Sequence, residues 1–418
     1  KILPVEPLQQ AVAVVGGAGA LGNEVLKNLA LLGVGHVVVC DFDRVEIHNL
    51  TRAILFRQGD AGALKAEVAA VRMREINPGV NAIPFADNIA ELGGGFFRRA
   101  GLIFSTFDAF FPRYAVNEAC LRYGKTWVDA GMSALEHTRG GVTVYDGADR
   151  ASFCYACGTS PEMVSRRLAA MRANVGCTAY ENVTGEMGGV PTTPMMASVI
   201  GGVQTAAGLD IFFHRRGYTP ACEWPFGSWD LDISNLTHRR VRRQRMPDCY
   251  HHQVVESVTT KVVEIPEWDS QRTTYREVLD RAQEEFGTKR IAVDLPEDFY
   301  TVGTCSKCKE PWDLFRLKST YMTRGKHMRC PVCGEGEFAI DGAGMYAEID
   351  YDWEYLDRPM AKAGARPLDV LKVVKYDESG APDATRYWEV SGDAKRLGLP
   401  ESARATSVGV VPSIGAES

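Results

Sequence analysis

The chain has 418 residues, of which 45% are hydrophobic and 24% are charged, and its formal net charge is −6. This composition is ordinary for a globular protein with a large core and two or more domains, and the negative charge argues against a general nucleic-acid binder. No secretory leader stands at the start of the sequence, so we expect a cytoplasmic protein whose cysteines are reduced rather than paired in disulfides.

The first elements in chain order predict a βαβ unit with a glycine-rich turn. An apolar run at 11–15 reads as a strand, residues 23–32 as a helix and residues 36–40 as a second strand. Between the first strand and the helix stand three spaced glycines, Gly17, Gly19 and Gly22. Glycines at this place permit a tight turn and let phosphates approach backbone N–H groups at the positive end of the helix. Alone, this motif is a weak signal.

Polar residues beyond the second strand narrow the choice of ligand. Asp43 lies about 20 residues after the last glycine, the usual offset for a carboxylate that holds a ribose hydroxyl, although an N-cap or turn role is the alternative. The ordered run continues with Asn49, Arg52, Lys65 and Asp108. Attack of a carboxylate on a phosphate concentrates negative charge, which Arg, Lys and Mg²⁺ stabilise. The run therefore indicates an ATP site, although Arg52 or Lys65 taken singly would be read as a surface charge.

The segment 43–56, with Lys65 and Asp108 beyond it, resembles the ThiF/MoeB and ubiquitin-activating-enzyme superfamily. Members of that superfamily carry a D-x-D-x-V-x-x-x-N-L-x-R-Q signature, then a lysine, then an aspartate after the fourth strand. The resemblance covers residues 1–253. It implies an α/β fold, a Rossmann-like ThiF-type adenylation domain with a mixed sheet.

The resemblance also assigns roles at the site. It implies that Asp43 holds the ribose and that Asp108 holds Mg²⁺. The implied ligands of the triphosphate are Asn49, Arg52 and Lys65. Two positions depart from the family pattern, because Ala53 stands in place of a glutamine and Ala109 in place of an asparagine. The first departure removes one polar contact near the nucleotide.

Seven of the 11 cysteines fall in pairs or near-pairs with metal-binding spacing. Two C-x-x-C knuckles, Cys305 with Cys308 and Cys330 with Cys333, are separated by 21 residues. That spacing is typical of a self-contained four-thiolate zinc ribbon. The alternative is four buried thiols without a metal.

A further pair, Cys154 and Cys157, needs metal-binding partners elsewhere in the chain. In the family, a basic strand, a turn with proline and a second C-x-x-C close a structural zinc site with the first pair. Here that place holds Cys249 and then two histidines, of which His252 would replace the fourth cysteine and His251 competes with it, since imidazole is a normal zinc ligand. A redox-active pair at 154 and 157 is the alternative. We therefore expect two structural Zn²⁺ sites.

Cys177 stands unpaired within the segment of about 154–194 that includes the first knuckle and a glycine-rich stretch. In activating enzymes for ubiquitin-like proteins, a Cys-Thr at a similar distance attacks the acyl adenylate and carries the modifier as a thioester. The resemblance thus implies that Cys177 is a catalytic nucleophile, and nearby arginines would favour its thiolate form. The alternative is a small buried residue.

The most apolar stretch, 195–213, is interrupted by Gln204 and Asp210 and predicts a buried helix rather than a membrane span. Segment 234–245 should be one of the closing antiparallel strands of the family's domain. Its five arginines invite a nucleic-acid interpretation, but an exposed basic edge strand is favoured, and attraction of an acidic substrate tail is a third possibility.

Residues 254–400 predict a second, smaller α+β domain for partner docking, with the zinc ribbon (305–333) inserted into it. Strands are expected within 259–265, 290–294, 370–374 and 386–390. The helix between the first two strands places five apolar residues on one face, Tyr275, Val278, Leu279, Ala282 and Phe286. Residues 401–418 are expected to be a mobile tail.

The favoured function is ATP-dependent activation of the C-terminal carboxylate of a ubiquitin-like protein that ends in glycine. Adenylation is followed by transfer to Cys177 and hand-off to a conjugating enzyme, and the chain looks most like bacterial enzymes of this kind. The first alternative is a ThiF/MoeB-type adenylyltransferase that acts on a sulfur-carrier protein or peptide without an enzyme thioester. A zinc-dependent scaffold or a nicotinamide enzyme is the third class. Expected partners are the modifier, the conjugating enzyme and a second copy of the chain, with no nucleic acid and no membrane.

Overall fold

The computed structural model describes residues 4–133, 136–159, 162, 192–218, 227–259, 261–317, 330–335, 338–339 and 344–400. Within these residues the chain forms two sheets, one of eight strands and one of seven. Helices flank the first sheet, so the mixed α/β architecture predicted for the first part of the chain is confirmed.

The first sheet has the strand order β3-β2-β1-β4-β5-β6-β7-β8. Its strands are β1 (Val12–Gly16), β2 (His36–Cys40), β3 (Asn81–Phe85), β4 (Leu102–Ser105), β5 (Thr126–Met132), β6 (Arg139–Asp146), β7 (Gly227–Asp232) and β8 (Thr237–Val241). Strands β1 to β5 pair in parallel and β5 to β8 pair antiparallel. Because the strand order reverses at β1, a ligand is expected outside the carboxyl ends of β1, β2 and β4.

The helices of the described residues are numbered in chain order. They are α1 (Val5–Gln9), α2 (Ala20–Leu32), α3 (Lys65–Ile76), α4 (Gly94–Arg99), α5 (Phe110–Tyr123), α6 (Pro194–His214), α7 (Tyr250–Val254), α8 (Tyr275–Phe286) and α9 (Asp393–Arg396). Helices α2, α3 and α6 share one apolar core with the first sheet, while α4 and α5 share a second core with it. This second core also includes apolar residues from the end of the chain.

Helix α6 is long and apolar enough to cross a membrane by length and composition, but 61% of its most apolar window is buried inside the protein. Its Gln204 is fully buried and donates from Nε2 to the carbonyls of Ser105 and Val128, at 2.9 Å each. The helix therefore packs on the sheet through both apolar and polar contacts. The prediction of a buried core helix is confirmed.

The second sheet has the order β11-β10-β14-β15-β9, with β12 and β13 also paired to β10. Its strands are β9 (Val262–Glu264), β10 (Ile291–Cys305), β11 (Pro311–Leu317), β12 (Phe338–Ala339), β13 (Met345–Ile349), β14 (Val370–Tyr376) and β15 (Pro382–Glu389). All four predicted strands are present, but the one expected at 290–294 runs on to Cys305. Helix α8 contains the five apolar residues predicted to share one face, begins at a Thr274 capping box and ends at Gly287 with φ of 68°.

The two sheets are joined at a seam where their backbones lie close together. The N–H of Gly95, at the start of α4, donates to the carbonyl of Leu368 at 2.8 Å. A Cβ on Gly93 would lie 2.1 Å from the carbonyl oxygen of Pro367, so only glycine fits there. The first sheet ends at β8 and the second begins at β9, and a domain boundary near residue 253 stays a prediction.

Buried ion pairs cross the same seam. Glu389, at the end of β15, is fully buried and pairs with both Arg98 and Arg99 of α4. Glu264 of β9 adds a contact of 3.3 Å to Arg98. Separation of the two sheets would break these buried ion pairs, so the pairs help to fix the second sheet to the first.

Candidate nucleotide site and cysteine clusters

The glycine turn after β1 has the geometry that its sequence predicts. Gly17 has φ of 95°, and a Cβ on Gly22 would lie 2.0 Å from the carbonyl oxygen of Gly17. Gly19 caps α2, and a Cβ there would meet nothing within 4 Å. Thr106 closes the turn from β4, because its hydroxyl donates to the carbonyls of Gly16 and Gly17 at 3.0 and 3.1 Å. Among the residues that the structure describes, none restricts the N-terminus of α2 at this point, which is the switch point of the sheet.

Asn23, which the sequence analysis did not single out, ties this turn to the next loop. It is fully buried, and its amide donates to the carbonyls of Ala18 and Gly19. Its Oδ1 accepts from the N–H of Leu55 at 2.8 Å. The sequence signal was available, since a polar residue at a buried position of a helix is unusual and requires partners.

Two carboxylates follow β2, and they have different surroundings. Asp41 accepts from the N–H of Ala18 in the glycine turn at 2.7 Å and from the N–H of Asp43 at 2.8 Å. Burial raises the pKa of Asp41 to about 6, although Lys65 opposes the shift. Asp43 is more exposed, with 57% of its side chain accessible, and lies 2.9 Å from Lys65. Asp41 is thus a second residue that the sequence analysis missed, although it directly ends the strand and begins the D-x-D signature.

Lys65 interacts with several charged groups of the site. It is the first residue of α3, and only 12% of its side chain is exposed. Burial lowers its pKa, but the charges of Asp41, Asp43 and Asp108 outweigh burial and raise the pKa above its ordinary value. Asp108 is exposed and lies between β4 and α5. The structure therefore brings a lysine and three carboxylates together at the carboxyl ends of β2 and β4.

Asn49 and Arg52 lie on a 3₁₀ helix, Ile47–Thr51, and its following residue. Their recorded side-chain bonds stay within this turn: Asn49 Oδ1 accepts from the N–H of Glu46 at 2.9 Å, and Arg52 donates to the carbonyl of His48 at 3.0 Å. Ala53, which replaces the family's glutamine, is 4% exposed and packs in the core. The position thus serves apolar packing here.

Four side chains that are distant in sequence meet in the first cysteine cluster, with ligand atoms all within 4.8 Å of one another. They are Cys154, Cys157, Cys249 and His252. The Sγ of Cys154 lies 3.8 Å from that of Cys157 and 3.7 Å from that of Cys249. Tetrahedral zinc with Zn–S bonds of about 2.3 Å requires S···S distances of about 3.8 Å. The donor set and its spacing therefore fit Zn²⁺.

The two histidines after Cys249 differ in their contacts. His252 is 8% exposed, and neither ring nitrogen has a hydrogen-bond partner among the described residues. His251 instead shares a 2.7 Å hydrogen bond with Asn117 and packs against the ring of Tyr114 at 3.8 Å. A buried imidazole with two unpaired nitrogens needs a ligand, so the geometry favours His252 over His251 as the metal-binding residue.

The second cluster is built from the two knuckles predicted as a ribbon, Cys305, Cys308, Cys330 and Cys333. The Sγ atoms of Cys305 and Cys333 are 3.7 Å apart, and those of Cys308 and Cys330 are 3.6 Å apart. Backbone N–H groups of each knuckle also point at its first sulfur, at 3.3 to 3.4 Å. These contacts favour thiolates over thiols, and the four-sulfur set fits Zn²⁺ as well.

Three expectations fall on residues outside the described ranges. Cys177 belongs to them, as does most of the segment 154–194. The tail at 401–418 does as well. The nucleophile role and the mobile tail therefore stay predictions.

A glycine turn at the switch point of a doubly wound sheet is the architecture of nucleotide-binding α/β proteins. The model of the ThiF family matches residues 5–251. The chain belongs to the ThiF family.

Relatives of two kinds are similar to the chain. Human ubiquitin-like modifier-activating enzyme 7 is 38% identical over 150 residues, which are 34% of this chain and 14% of that protein. The sulfur carrier protein adenylyltransferase of Thermus thermophilus is 39% identical over 145 residues, 34% of this chain and 51% of that protein. Pig adenylyltransferase and sulfurtransferase MOCS3 is 28% identical over 244 residues, 58% of this chain and 48% of that protein. The chain thus spans about half or less of the length of these relatives.

Among solved structures, E. coli MccB with ATP has a TM-score of 0.46 and 20% identity, over 59% of this chain and 68% of that one. A likeness at this level says nothing about the site.

Proposed function

We propose that this protein uses ATP and Mg²⁺ to adenylate the C-terminal carboxylate of a ubiquitin-like protein. The observation that carries the proposal is the position of Lys65, held among Asp41, Asp43 and Asp108 beside the open glycine turn. A cation at this place meets the phosphates of a nucleotide whose ribose lies at the end of β2. The N-terminus of α2 adds positive potential on the same side.

The chemistry requires charge stabilisation rather than a side-chain nucleophile. An oxygen of the substrate carboxylate forms a bond to the α-phosphorus, and the bond from that phosphorus to the bridging oxygen breaks and releases pyrophosphate. Lys65 and Arg52 neutralise charge on the phosphates, and Asn49 orients them. Mg²⁺, held by Asp108, supplies further neutralisation of the triphosphate when bound. Asp43 or its neighbour Asp41 holds the ribose.

The relatives support this class of reaction and leave the substrate open. One is named for activating a ubiquitin-like modifier and another for adenylating a sulfur carrier protein, at nearly equal identity. Both names describe small protein substrates, which supports a protein carboxylate over a free small molecule. We favour an activating enzyme over a sulfur-carrier adenylyltransferase for two reasons. The chain has a carboxyl-terminal module beyond residue 254, and its sequence contains the Cys177-Thr178 pair.

In an activating enzyme of this kind, Cys177 would act after adenylation. Its thiolate attacks the acyl carbon, a thioester bond forms, and AMP leaves. A conjugating enzyme then receives the modifier. The alternative is a sulfur-carrier or peptide adenylyltransferase in which no thioester forms on the chain.

One experiment separates these outcomes. The protein is incubated with ATP, labelled pyrophosphate and candidate small proteins that end in glycine, and pyrophosphate–ATP exchange is measured. A Cys177→Ala variant that keeps exchange but loses a thiol-sensitive adduct supports the thioester. Cys222→Ala is the matched control and should keep both. Absence of exchange with every candidate would contradict adenylation of such proteins.

A homodimer is part of the proposal. The outer faces of α2 and α6 carry exposed apolar residues, with Leu31 at 66%, Met195 at 63% and Val199 at 39% exposure. The helices are joined by Ser198, whose hydroxyl donates to Glu24 at 3.0 Å. If a second copy of the chain covers these residues, Val199→Glu would place a charge in the interface and dissociate the dimer. Light scattering would then measure half the molecular mass of the wild-type protein.

A further inference from the structure

Arg113 lies in the first turn of α5, five residues beyond Asp108, and the adenylation scheme gives it no role. Its guanidinium reaches across to β5. The Nε lies 3.1 Å from Asp129 Oδ1, and Nη2 donates to the carbonyl of Ala130 at 3.0 Å. The first turn of α5 is therefore bound to the middle of β5 by an ion pair and a backbone contact.

This pair is removed from solvent, with 18% of the Arg113 side chain and 10% of the Asp129 side chain exposed. Burial raises the pKa of Asp129 to about 6, with the guanidinium opposing the shift. Burial lowers the pKa of Arg113, but Asp129 and Tyr155 outweigh burial and raise it. Each partner therefore compensates the other, and removal of one leaves a buried charge.

A third element meets the same guanidinium. Tyr155, between the knuckle cysteines 154 and 157, interacts electrostatically with Arg113 and helps to raise the pKa of the guanidinium. Its backbone N–H donates to Asn117 of α5 at 2.8 Å, and its ring packs on Phe110 at 5.6 Å. A Cβ on Gly131 would lie 3.0 Å from Arg113 Nη2, so the glycine keeps room for the guanidinium. Arg113 thus joins α5, β5 and the first cysteine knuckle.

The anchored turn directly follows Asp108. Toward β4, the loop is held by Thr106, which bonds to the glycine turn. Toward α5, Arg113 supplies the fixed point. Asp108 is exposed and contributes to the potential at Lys65, so its place relative to the lysine depends on both anchors.

We infer that Arg113 is a positioning residue for the adenylation reaction, which holds the first turn of α5 and so fixes the place of Asp108 in the loop after β4. This inference rests on the proposed function. The guanidinium of Arg113 is bonded to Asp129 and Ala130 of β5, so its effect on the reaction would pass through Asp108. Because the proposed effect of Arg113 depends on Asp108, an experiment can distinguish it from a contribution of Arg113 to folding alone.

The test is a double-mutant cycle read by ATP binding, measured calorimetrically with and without Mg²⁺. Arg113→Gln should lower the Mg²⁺-dependent gain in ATP affinity roughly tenfold, the usual effect of losing a charge-assisted contact, and leave Mg²⁺-free binding within about twofold. Asp108→Asn should produce the same loss. Because the two residues act through one group, Arg113→Gln should have no further effect in the Asp108→Asn background.

Arg122→Gln is the matched control, since Arg122 lies in the last turn of the same helix and pairs with Glu118 at 2.8 Å. It should leave the Mg²⁺-dependent gain unchanged. Arg113→Lys, which keeps the charge, should recover part of the gain and serves if the glutamine variant does not fold. Additive losses in the cycle, or equal losses with and without Mg²⁺, would overturn the inference. If the wild-type protein binds no ATP, the proposed function itself fails.

Discussion

At the scale of single residues, the site depends on Lys65 and on the carboxylates that surround it. A mostly buried lysine is costly unless opposite charges compensate it, and here Asp41, Asp43 and Asp108 do so. The Nζ of the lysine lies 2.9 Å from Asp43 Oδ2, which is its ion-pair partner. Phosphate binding would exchange this partner for a stronger one, because phosphate oxygens carry more charge.

Removal of the lysine should therefore impair nucleotide use more than folding. Lys65→Ala loses a charge-assisted phosphate contact of about 1.5–3 kcal/mol, so pyrophosphate–ATP exchange should fall about tenfold or more. Arg72→Ala, two turns along the same helix, removes contacts with Glu75 at 2.8 Å and Asp60 at 3.2 Å and should keep exchange within about twofold. Equal losses in the two variants would indicate a general effect on α3.

The raised pKa of Asp41 predicts how the free energy of unfolding depends on pH. Its folded-state pKa of about 6 lies above the value near 3.9 of an unfolded chain. The folded protein therefore binds this proton more tightly, and the Asp41 contribution to the free energy of unfolding falls as pH rises from about 4 to about 6. Asp41→Asn removes that fall. The free energy of unfolding of the variant minus that of the wild type should therefore increase as pH rises from about 4 to about 7, as measured by urea denaturation. An increase of this difference as pH falls would contradict the raised pKa.

At the scale of elements, the two cysteine clusters differ in how the chain builds them. The second cluster takes its first knuckle from the end of β10, a strand that also forms the centre of the second sheet. The other cluster joins the knuckle after β6 to the start of α7, 95 residues away in sequence. Four protein ligands leave no open position, so zinc in either cluster would be structural.

The histidine choice is tested by metal content. His252→Ala should reduce bound zinc from two ions per chain to about one and lower the melting temperature, since structural zinc contributes folding free energy directly. His251→Ala loses the contact with Asn117 but should keep both ions. Elemental analysis of the purified variants gives the answer, and the reverse pattern would assign the ligand to His251.

At the scale of the whole molecule, the second sheet is a fixed part of the structure. The seam combines the close backbone approach at Gly93 and Gly95 with Glu389, which is fully buried between Arg98 and Arg99. The α4 and α5 face of the first sheet completes its core with apolar residues from the second part of the chain. A partner-docking role for residues 254–400 would therefore operate from a rigid platform.

The seam predicts strong coupling in unfolding. Glu389→Ala leaves two buried guanidinium groups with Glu264, which is 29% exposed, as their remaining partner at this seam and should lower the free energy of unfolding by about 3–5 kcal/mol. Glu285→Ala, which removes a surface partner of Arg386 on the same strand, should cost about 1 kcal/mol or less. Urea denaturation followed by circular dichroism measures both. A separate early transition with an unchanged main transition would show that the two sheets unfold independently.

The local features of this protein could be predicted from its sequence: the glycine turn, the helix α8, the buried character of α6 and the cysteine knuckles. Each depends on residues near in sequence, whose backbone preferences and spacing are read directly. Three further features became evident in the folded chain: His252 rather than His251 lies at the thiols, Asp41 joins Asp43 at the site, and β10 continues as far as Cys305 of the second cysteine cluster. These outcomes depend on distances between residues far apart in the chain, which packing and charge compensation set after the strands have paired.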